Sequence, residues 1–129
     1  MLRPGGCLAV ADWNRRDPVD GAMNRQERWV MRQLLHQWAH PEFASIRGFA
    51  ANLEASPHQR GNISTGDWSV ATLPSWIDSI VEGVRRPGAV LGLGPKAVLQ
   101  GLRETPTLLL MHWAFATGLM QFGVFRFSR

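Results

Sequence analysis

The turn and the apolar run at the start of this 129-residue chain constrain its fold more than any other feature. Residues 3–6 read Arg-Pro-Gly-Gly, a tight-turn composition, because proline fixes φ and glycine accepts positive φ. The apolar run at residues 7–11 has the length of a fully covered strand in a parallel sheet. In open α/β sheets, ligands bind beyond the carboxyl ends of the strands. We therefore predict an α/β fold with a site near Asp12, Trp13 and Asn14.

Apolar periodicity and turn residues divide the chain into further elements. We predict strands at residues 6–12, 61–68 and 121–128, helices at 24–39, 45–55, from 72 onward, 95–104 and 105–117, and a Pro/Gly-rich loop at 87–95. Thr72 or Ser75 is the expected cap of the third helix, and Pro106 is expected to interrupt the last helical stretch.

Several segments carry a resemblance to a known family. Leu-Arg-Pro-Gly-Gly-x-Leu-x-Val-x-Asp at residues 2–12 resembles the segment entering the fifth strand of Rossmann-like S-adenosylmethionine-dependent methyltransferases. Together with this motif, further segments resemble, in order, the carboxyl-terminal half of the cyanobacterial 2-methyl-6-phytylbenzoquinone methyltransferases, relatives of the γ-tocopherol methyltransferases: residues 10–17, 31–46, 73–80, 103–111 and 118–126. The resemblance extends over essentially all of residues 2–129.

The resemblance implies the fifth, sixth and seventh strands of a Rossmann-like methyltransferase sheet, with a helical substrate-side cap and without the amino-terminal cofactor-binding half. The chain would then be one partial domain, divided into a strand and site edge (1–13), a loop with cap helices (14–60), a strand (61–69), a helical cap (70–120) and a last strand (121–129). We expect the last strand to lie between the other two, antiparallel to both. A missing fourth strand would leave the first one with an unpaired edge, which predicts marginal solubility.

The activity implied by the resemblance is transfer of a methyl group from S-adenosylmethionine to a ring carbon of a lipid-soluble prenylated quinol, on the way to tocopherol and plastoquinone. The family's acidic-Gly-x-Gly-x-Gly cofactor loop would lie before Met1. We therefore expect the chain alone to bind S-adenosylmethionine weakly or not at all and to be inactive. Two alternatives stay open: a methyltransferase for γ-tocopherol or another lipid quinol, and a non-enzymatic binding module.

Methyl transfer to carbon needs the ring carbon aligned behind the methyl group, next to an ionised or strongly hydrogen-bonded hydroxyl. Asp12 would accept that hydrogen bond and act as general base if it were buried; closing the strand is its alternative role. His36 and His40 are rival bases if the helix at residues 24–39 covers the site. These three side chains are the predicted catalytic residues.

Aromatic and amide side chains supply the predicted substrate contacts. Trp13 would hold the sulfonium or the quinol ring by its face. Asn14 and Trp38 are the other two contacts that we predict.

Two further patterns could suggest a phosphate-binding loop and a metal site, but we predict neither. Gly92-Leu93-Gly94 resembles a phosphate-binding loop, but the strand before it would be very short and Pro95 removes a donor. No acidic residue follows at roughly 20 positions to bind a ribose, so we predict a loop between cap helices. His36 and His40 have the spacing of two metal ligands on a helix, but no third ligand is evident, and we predict no metal.

The charge and hydropathy of the chain indicate which kinds of partner it can bind. The net charge of +4 comes from scattered arginines with acidic residues between them, which predicts a solvated surface and no nucleic-acid partner. Residues 107–120 are apolar on nearly all sides but shorter than the about 20 residues of a membrane span. We expect a cytoplasmic chain and leave open a peripheral contact with a photosynthetic (thylakoid) membrane. Cys7, the single cysteine, is expected to be inert packing in its strand.

Overall fold

The computed structural model describes residues 6–56 and 61–128. Its elements, in chain order, are strand β1 (Cys7–Arg15), a 3₁₀ turn (Pro18–Asp20), helices α1 (Arg25–Gln37) and α2 (Ile46–Glu54), strand β2 (Ile63–Asp67), helices α3 (Ser69–Arg85), α4 (Pro87–Gly92) and α5 (Pro95–Ala116), and strand β3 (Met120–Ser128). The predicted α/β class is confirmed. No helix within the described residues is long and apolar enough to cross a bilayer.

β3 is the central strand of a three-stranded sheet with the order β1-β3-β2. It runs antiparallel to both neighbours, with Trp13 opposite Phe122 and Thr65 opposite Phe125. β1 and β2 therefore point in the same direction without touching. This strand order confirms the prediction that the last strand separates the other two.

β1 is longer and more exposed than the sequence predicts. It continues to Arg15, and Leu8 is 41% exposed. Apart from one bridge between Arg15 and Ser45, β1 pairs only with β3 within the described residues. The expectation of a fully covered strand is wrong, because nothing in the described ranges covers its first half. The expectation that Cys7 is packed is wrong for the same reason, since Cys7 is exposed.

The main core lies on one face of the sheet, between α1, α5 and the start of β3. Its buried side chains are Val30, Met31, Leu34, Phe43, Met111, Ala114, Leu119 and Met120. Helix α2 packs against the other face, where Phe49 lies 4.4 Å from Phe125, centroid to centroid. Helices thus lie on both faces, as expected for an α/β layer structure.

α1 begins with a capping box and ends earlier than predicted. The Asn24 side chain accepts a hydrogen bond from the Glu27 N–H, and the Glu27 carboxylate accepts one from the Asn24 N–H. The helix ends at Gln37, because Ala39 adopts a left-handed conformation with φ of 49°. The His40 N–H then donates to the Leu35 carbonyl, which closes a Schellman motif.

Replacing Ala39 by glycine is expected to stabilise the chain by about 0.5–1 kcal/mol, because glycine carries no Cβ penalty in the left-handed region. Urea unfolding followed by far-UV circular dichroism measures the change. Ala51→Gly, at an exposed position inside α2, is the control and should cost about 1 kcal/mol. Equal destabilisation by both substitutions would contradict the left-handed conformation of Ala39.

α3 starts before the predicted cap. The helix begins at Ser69, whose N–H donates to the Asp67 carboxylate at 2.9 Å, so neither Thr72 nor Ser75 caps it. The sequence prediction placed this start too late, because it treated Pro74 as a helix-start signal, and Pro74 lies inside the helix.

The predicted break at Pro106 is also wrong, because α5 is continuous. Proline leaves the Leu102 carbonyl without its helical partner. Both residues are exposed, so water can hydrate that carbonyl. The expected loop at residues 87–95 is largely replaced by α4.

Candidate functional site: an aromatic cavity beside β1

The last side chains of β1 alternate between the two faces of the sheet. Trp13 lies on the face covered by α1, α3 and α5, where it contacts Trp38 and Trp76. Asn14 lies on the other face, and strand alternation places Asp12 on that face as well. The structure therefore separates Trp13 from the two neighbours that the sequence assigned to the same site.

Three tryptophans from different elements meet on the helical face. The rings of Trp13 and Trp38 have centroids 5.0 Å apart and are tilted by 31°. Trp76, from α3, meets Trp13 edge to face, with centroids 6.3 Å apart. Both separations are typical of favourable aromatic pairs. The cluster brings Trp38, a predicted substrate contact, next to Trp13.

A cavity of about 250 Å³ adjoins this cluster. Its walls come from β1, α3, α5 and β3, and are mainly aromatic and aliphatic: Trp13, Ser69, Thr72, Leu73, Trp76, Phe115 and Phe122. Small-molecule sites are typically concave, apolar and supplied with a few polar groups. The cavity therefore has the character of a binding site for a planar, largely apolar molecule.

One residue of the cavity wall, Trp76, carries a buried hydrogen-bond donor. Its indole Nε1 is buried and has no hydrogen-bond partner in the described part of the chain. A buried donor without an acceptor carries a desolvation cost of about 1–3 kcal/mol. An acceptor oxygen of a bound molecule would remove that cost.

Hydrogen bonds hold the polar edge of the cavity in place. The Ser69 hydroxyl accepts from the Phe122 N–H at 2.9 Å and donates to the Asp67 carboxylate. The other Asp67 oxygen accepts from the Gln121 side chain at 3.2 Å. These bonds tie the start of α3 to β3, so two walls of the cavity are joined directly.

Asn14 is buried on the opposite face of the sheet. Its side chain is fully buried, and its Nδ2 donates to the Ala44 carbonyl at 3.3 Å. Its Oδ1 is buried, has no hydrogen-bond partner among the described residues, and lies above Gly123, where a Cβ would come within 2.1 Å of it. Asn14 thus lies outside the aromatic cavity, and its predicted contact with substrate stays a prediction.

The three predicted catalytic side chains do not line the cavity. Asp12 is exposed, and its carboxylate accepts a hydrogen bond from the Trp13 N–H at 2.8 Å. His36 is exposed in the last turn of α1. His40 stacks on Phe43, with ring centroids 4.8 Å apart. Their catalytic roles stay predictions.

The two histidines do not share a helical face, because α1 ends between them at Gln37. Their sequence spacing therefore does not give the ligand geometry of a helix. The described residues contain no group of three or more histidine, cysteine, aspartate or glutamate side chains that could hold a metal ion.

Sequence reasoning missed a largely buried ion pair between the end of β1 and the start of α1. The Arg16 guanidinium donates to the Glu27 carboxylate at 3.0 Å, and the Asn24 N–H donates to it at 2.8 Å. The hydrogen bond from Arg16, followed by that from Asn24, lowers the pKa of Glu27. The pattern Asn-x-x-Glu at residues 24–27 was the available signal, since it is typical of a capping box.

A second missed carboxylate, Asp17, ties the loop after β1 to the start of α2. It accepts hydrogen bonds from the Val19 N–H at 3.0 Å and from the Ser45 hydroxyl at 2.8 Å. These two bonds, with the nearby charges of Arg47 and Arg15, lower its pKa. Both missed carboxylates are therefore held in their charged form by the fold.

An antiparallel three-stranded sheet with helices on both faces is compatible with the carboxyl-terminal part of a methyltransferase. No protein-family model matches the chain. Over all 129 residues, however, it is 50% identical to the 2-methyl-6-phytyl-1,4-hydroquinone methyltransferase of Synechocystis sp.. The chain spans 41% of the length of that relative, which fits a carboxyl-terminal portion of such an enzyme. The resemblance stated from the sequence motifs is thereby confirmed.

Proposed function

We propose that this chain forms the acceptor-binding side of an S-adenosylmethionine-dependent C-methyltransferase. The proposed acceptor is a prenylated quinol of tocopherol and plastoquinone biosynthesis, such as 2-methyl-6-phytylbenzoquinol. The observation that supports this most directly is the aromatic cavity beside Trp13, lined in part by Trp76, whose buried indole N–H has no hydrogen-bond partner among the described residues. The 50% identity to a phytyl hydroquinone methyltransferase supports the same class of acceptor.

The cavity offers a quinol two kinds of interaction. Trp13, Phe115 and Phe122 present apolar aromatic surface to a flat ring. The Trp76 N–H would donate to a phenolic oxygen, and this hydrogen bond strengthens as the oxygen gains negative charge. A phenolate makes the adjacent ring carbon electron-rich, which is the property a carbon nucleophile needs. We therefore assign Trp76 to orient the ring and to stabilise its ionised form.

The Gly-rich segment at Gly92–Gly94 does not fit S-adenosylmethionine. The Gly92–Gly94 segment follows a helix instead of a strand, and Pro95 occupies the first turn of α5. A Cβ added at either glycine would meet no atom within 4 Å, so this loop forms no close cradle. We assign none of these residues to the methyl donor and derive no step through it.

Calorimetric titration of the purified chain with a short-chain prenyl quinol, kept reduced, tests the proposal. We expect saturable binding, and Trp76→Phe should weaken it by about tenfold, because the ring is kept and one hydrogen bond to a charged or phenolic oxygen is lost. Trp29→Phe is the matched control, since Trp29 is half-exposed on α1 and does not line the cavity. No saturable binding, or equal affinity for Trp76→Phe and the unsubstituted chain, would contradict the proposal.

A further inference from the structure

We propose that the outer surface formed by α4, the turn that follows it and the first half of α5 docks on an anionic membrane surface. We call it the leucine face and define it by Leu91, Leu93, Leu99 and Leu102. The inference concerns a surface separate from the aromatic cavity and does not depend on the function proposed above.

The leucine face is apolar and open to solvent. Leu91 is 63% exposed, Leu93 74% and Leu102 66%. With Pro95, Val98 and Leu99, two of these residues line an open groove of about 430 Å³. Contiguous exposed apolar surface of this kind is unusual in a soluble monomer and marks an interaction site.

Helical spacing aligns the apolar residues of α5 into one stripe. Residues 98 and 99 lie three and four positions after Pro95, Leu102 lies four and three positions after these two, and the exposed Leu109 continues the stripe about two turns further. The polar and charged residues of α5 are displaced from it. A helix with a solvent-exposed apolar stripe beside charged residues is typical of elements that lie in a membrane interface.

The charges around the leucine face are mainly positive. Residues 83–103 contain four basic side chains and no acidic one. Viewed down the axis of α5, Lys96 lies about 100° from Pro95, and Arg103 lies about 100° from Leu102. Both basic residues therefore flank the stripe, whereas Glu104 lies on the opposite side of the helix. Arg86 pairs with Glu82 and contributes less. Long basic side chains beside an apolar stripe can reach lipid headgroups while the leucines enter the acyl boundary.

Charge favours a membrane over a second copy of this chain as the occupant. A symmetric dimer formed through this face would bring Lys96 and Arg103 of both copies to one interface, because a two-fold contact uses the same patch twice. Anionic headgroups instead neutralise these charges. The same groups therefore oppose self-association and favour an anionic lipid surface.

Vesicle co-sedimentation of the full chain tests the docking. We expect partition onto vesicles of phosphatidylglycerol mixed with phosphatidylcholine, and much less onto phosphatidylcholine alone. Leu99→Gln with Leu102→Gln should lower the partition coefficient by about tenfold or more. Lys96→Gln with Arg103→Gln should lower it several-fold on the anionic vesicles only, and added salt should reproduce that loss. Val19→Gln with Val70→Gln is the matched control, since both valines are exposed elsewhere.

The variants change exposed positions, and Leu91→Gln with Leu93→Gln provides a second pair on the same face should the first pair misfold. Far-UV circular dichroism shows which variants are folded. The proposal is overturned if the unsubstituted chain does not bind anionic vesicles. It is also overturned if the variants of both leucine pairs bind these vesicles as strongly as the unsubstituted chain. A dimer that dissociates on Leu99→Gln with Leu102→Gln, with no vesicle binding, would assign the face to a second copy.

Discussion

Replacing Gly123 by alanine is expected to destabilise the chain by about 3 kcal/mol. Gly123 lies in the central strand, paired with Asp12 on one side and Asp67 on the other. A Cβ there would come within 2.1 Å of the Asn14 Oδ1 and 3.0 Å of the Phe125 ring. Both side chains are fully buried, so neither can move without disturbing the face that α2 covers. Urea denaturation followed by circular dichroism measures the loss.

A control glycine and a rescue variant make this prediction specific. Gly83, inside α3, has no atom within 4 Å of an added Cβ, so Gly83→Ala should stabilise by about 0.5–1 kcal/mol. Asn14→Ala should recover part of the Gly123→Ala loss in a double-mutant cycle, because it removes the closest clashing atom. A loss below about 1 kcal/mol for Gly123→Ala, or no coupling to Asn14, would mean that the two side chains do not meet in this way.

The helices and strands were predictable wherever apolar periodicity was strong. The stripe of Val30, Met31 and Leu34 located α1, because a helix buries residues three and four apart. Pro74 and Pro106 misled the prediction, since each lies within a continuous helix. A proline inside a helix frees one backbone carbonyl, which water can hydrate where it is exposed, and that exposure cannot be inferred from local sequence.

The site was predictable only in part. Residues 12–14 were expected at and just beyond the end of the first strand, but they lie within β1. Alternation along that strand implies that Trp13 faces away from its two neighbours. Trp76 and Phe115 reach the cavity from α3 and α5, far along the sequence. Their convergence depends on how the helices between β2 and β3 fold over the sheet. No local pattern in a single sequence contains that information.

The leucine face and the aromatic cavity draw on the same helices. α5 carries Leu99 and Leu102 in its first half and Phe115, a cavity residue, in its last turn. A membrane that held the first half of α5 would therefore contact the helix that also supplies one wall of the cavity. The two proposals remain separately testable, because vesicle binding needs no quinol and quinol binding in detergent-free buffer needs no vesicle.

Replacing Glu27 by alanine is expected to cost about 3 kcal/mol at neutral pH, and Glu27→Gln about half of that. Glu27 is 7% exposed and accepts hydrogen bonds from the Arg16 guanidinium and from the Asn24 N–H. Alanine removes the Glu27 oxygen that accepts both hydrogen bonds and leaves the largely buried Arg16 charge unpaired, whereas glutamine keeps an oxygen but loses the charge. Urea unfolding of the three proteins at neutral pH measures the effect. Glu54→Gln, at an exposed glutamate that ends α2, is the control and should change stability little.

The pH dependence of the Glu27→Gln effect separates charge pairing from packing. The hydrogen bonds from Arg16 and Asn24 lower the pKa of Glu27 in the folded state. Its contribution is therefore fully present above the pKa of an unfolded glutamate and disappears as the pH falls through the lower, folded value. The stability difference between the two proteins should shrink towards zero on acidification below that value. Asp17, whose pKa is also lowered, titrates in both proteins and cancels from the difference. A difference that stayed constant from neutral to strongly acidic pH would show that Glu27 stabilises the fold by shape alone, and the ion pair with Arg16 would then contribute nothing.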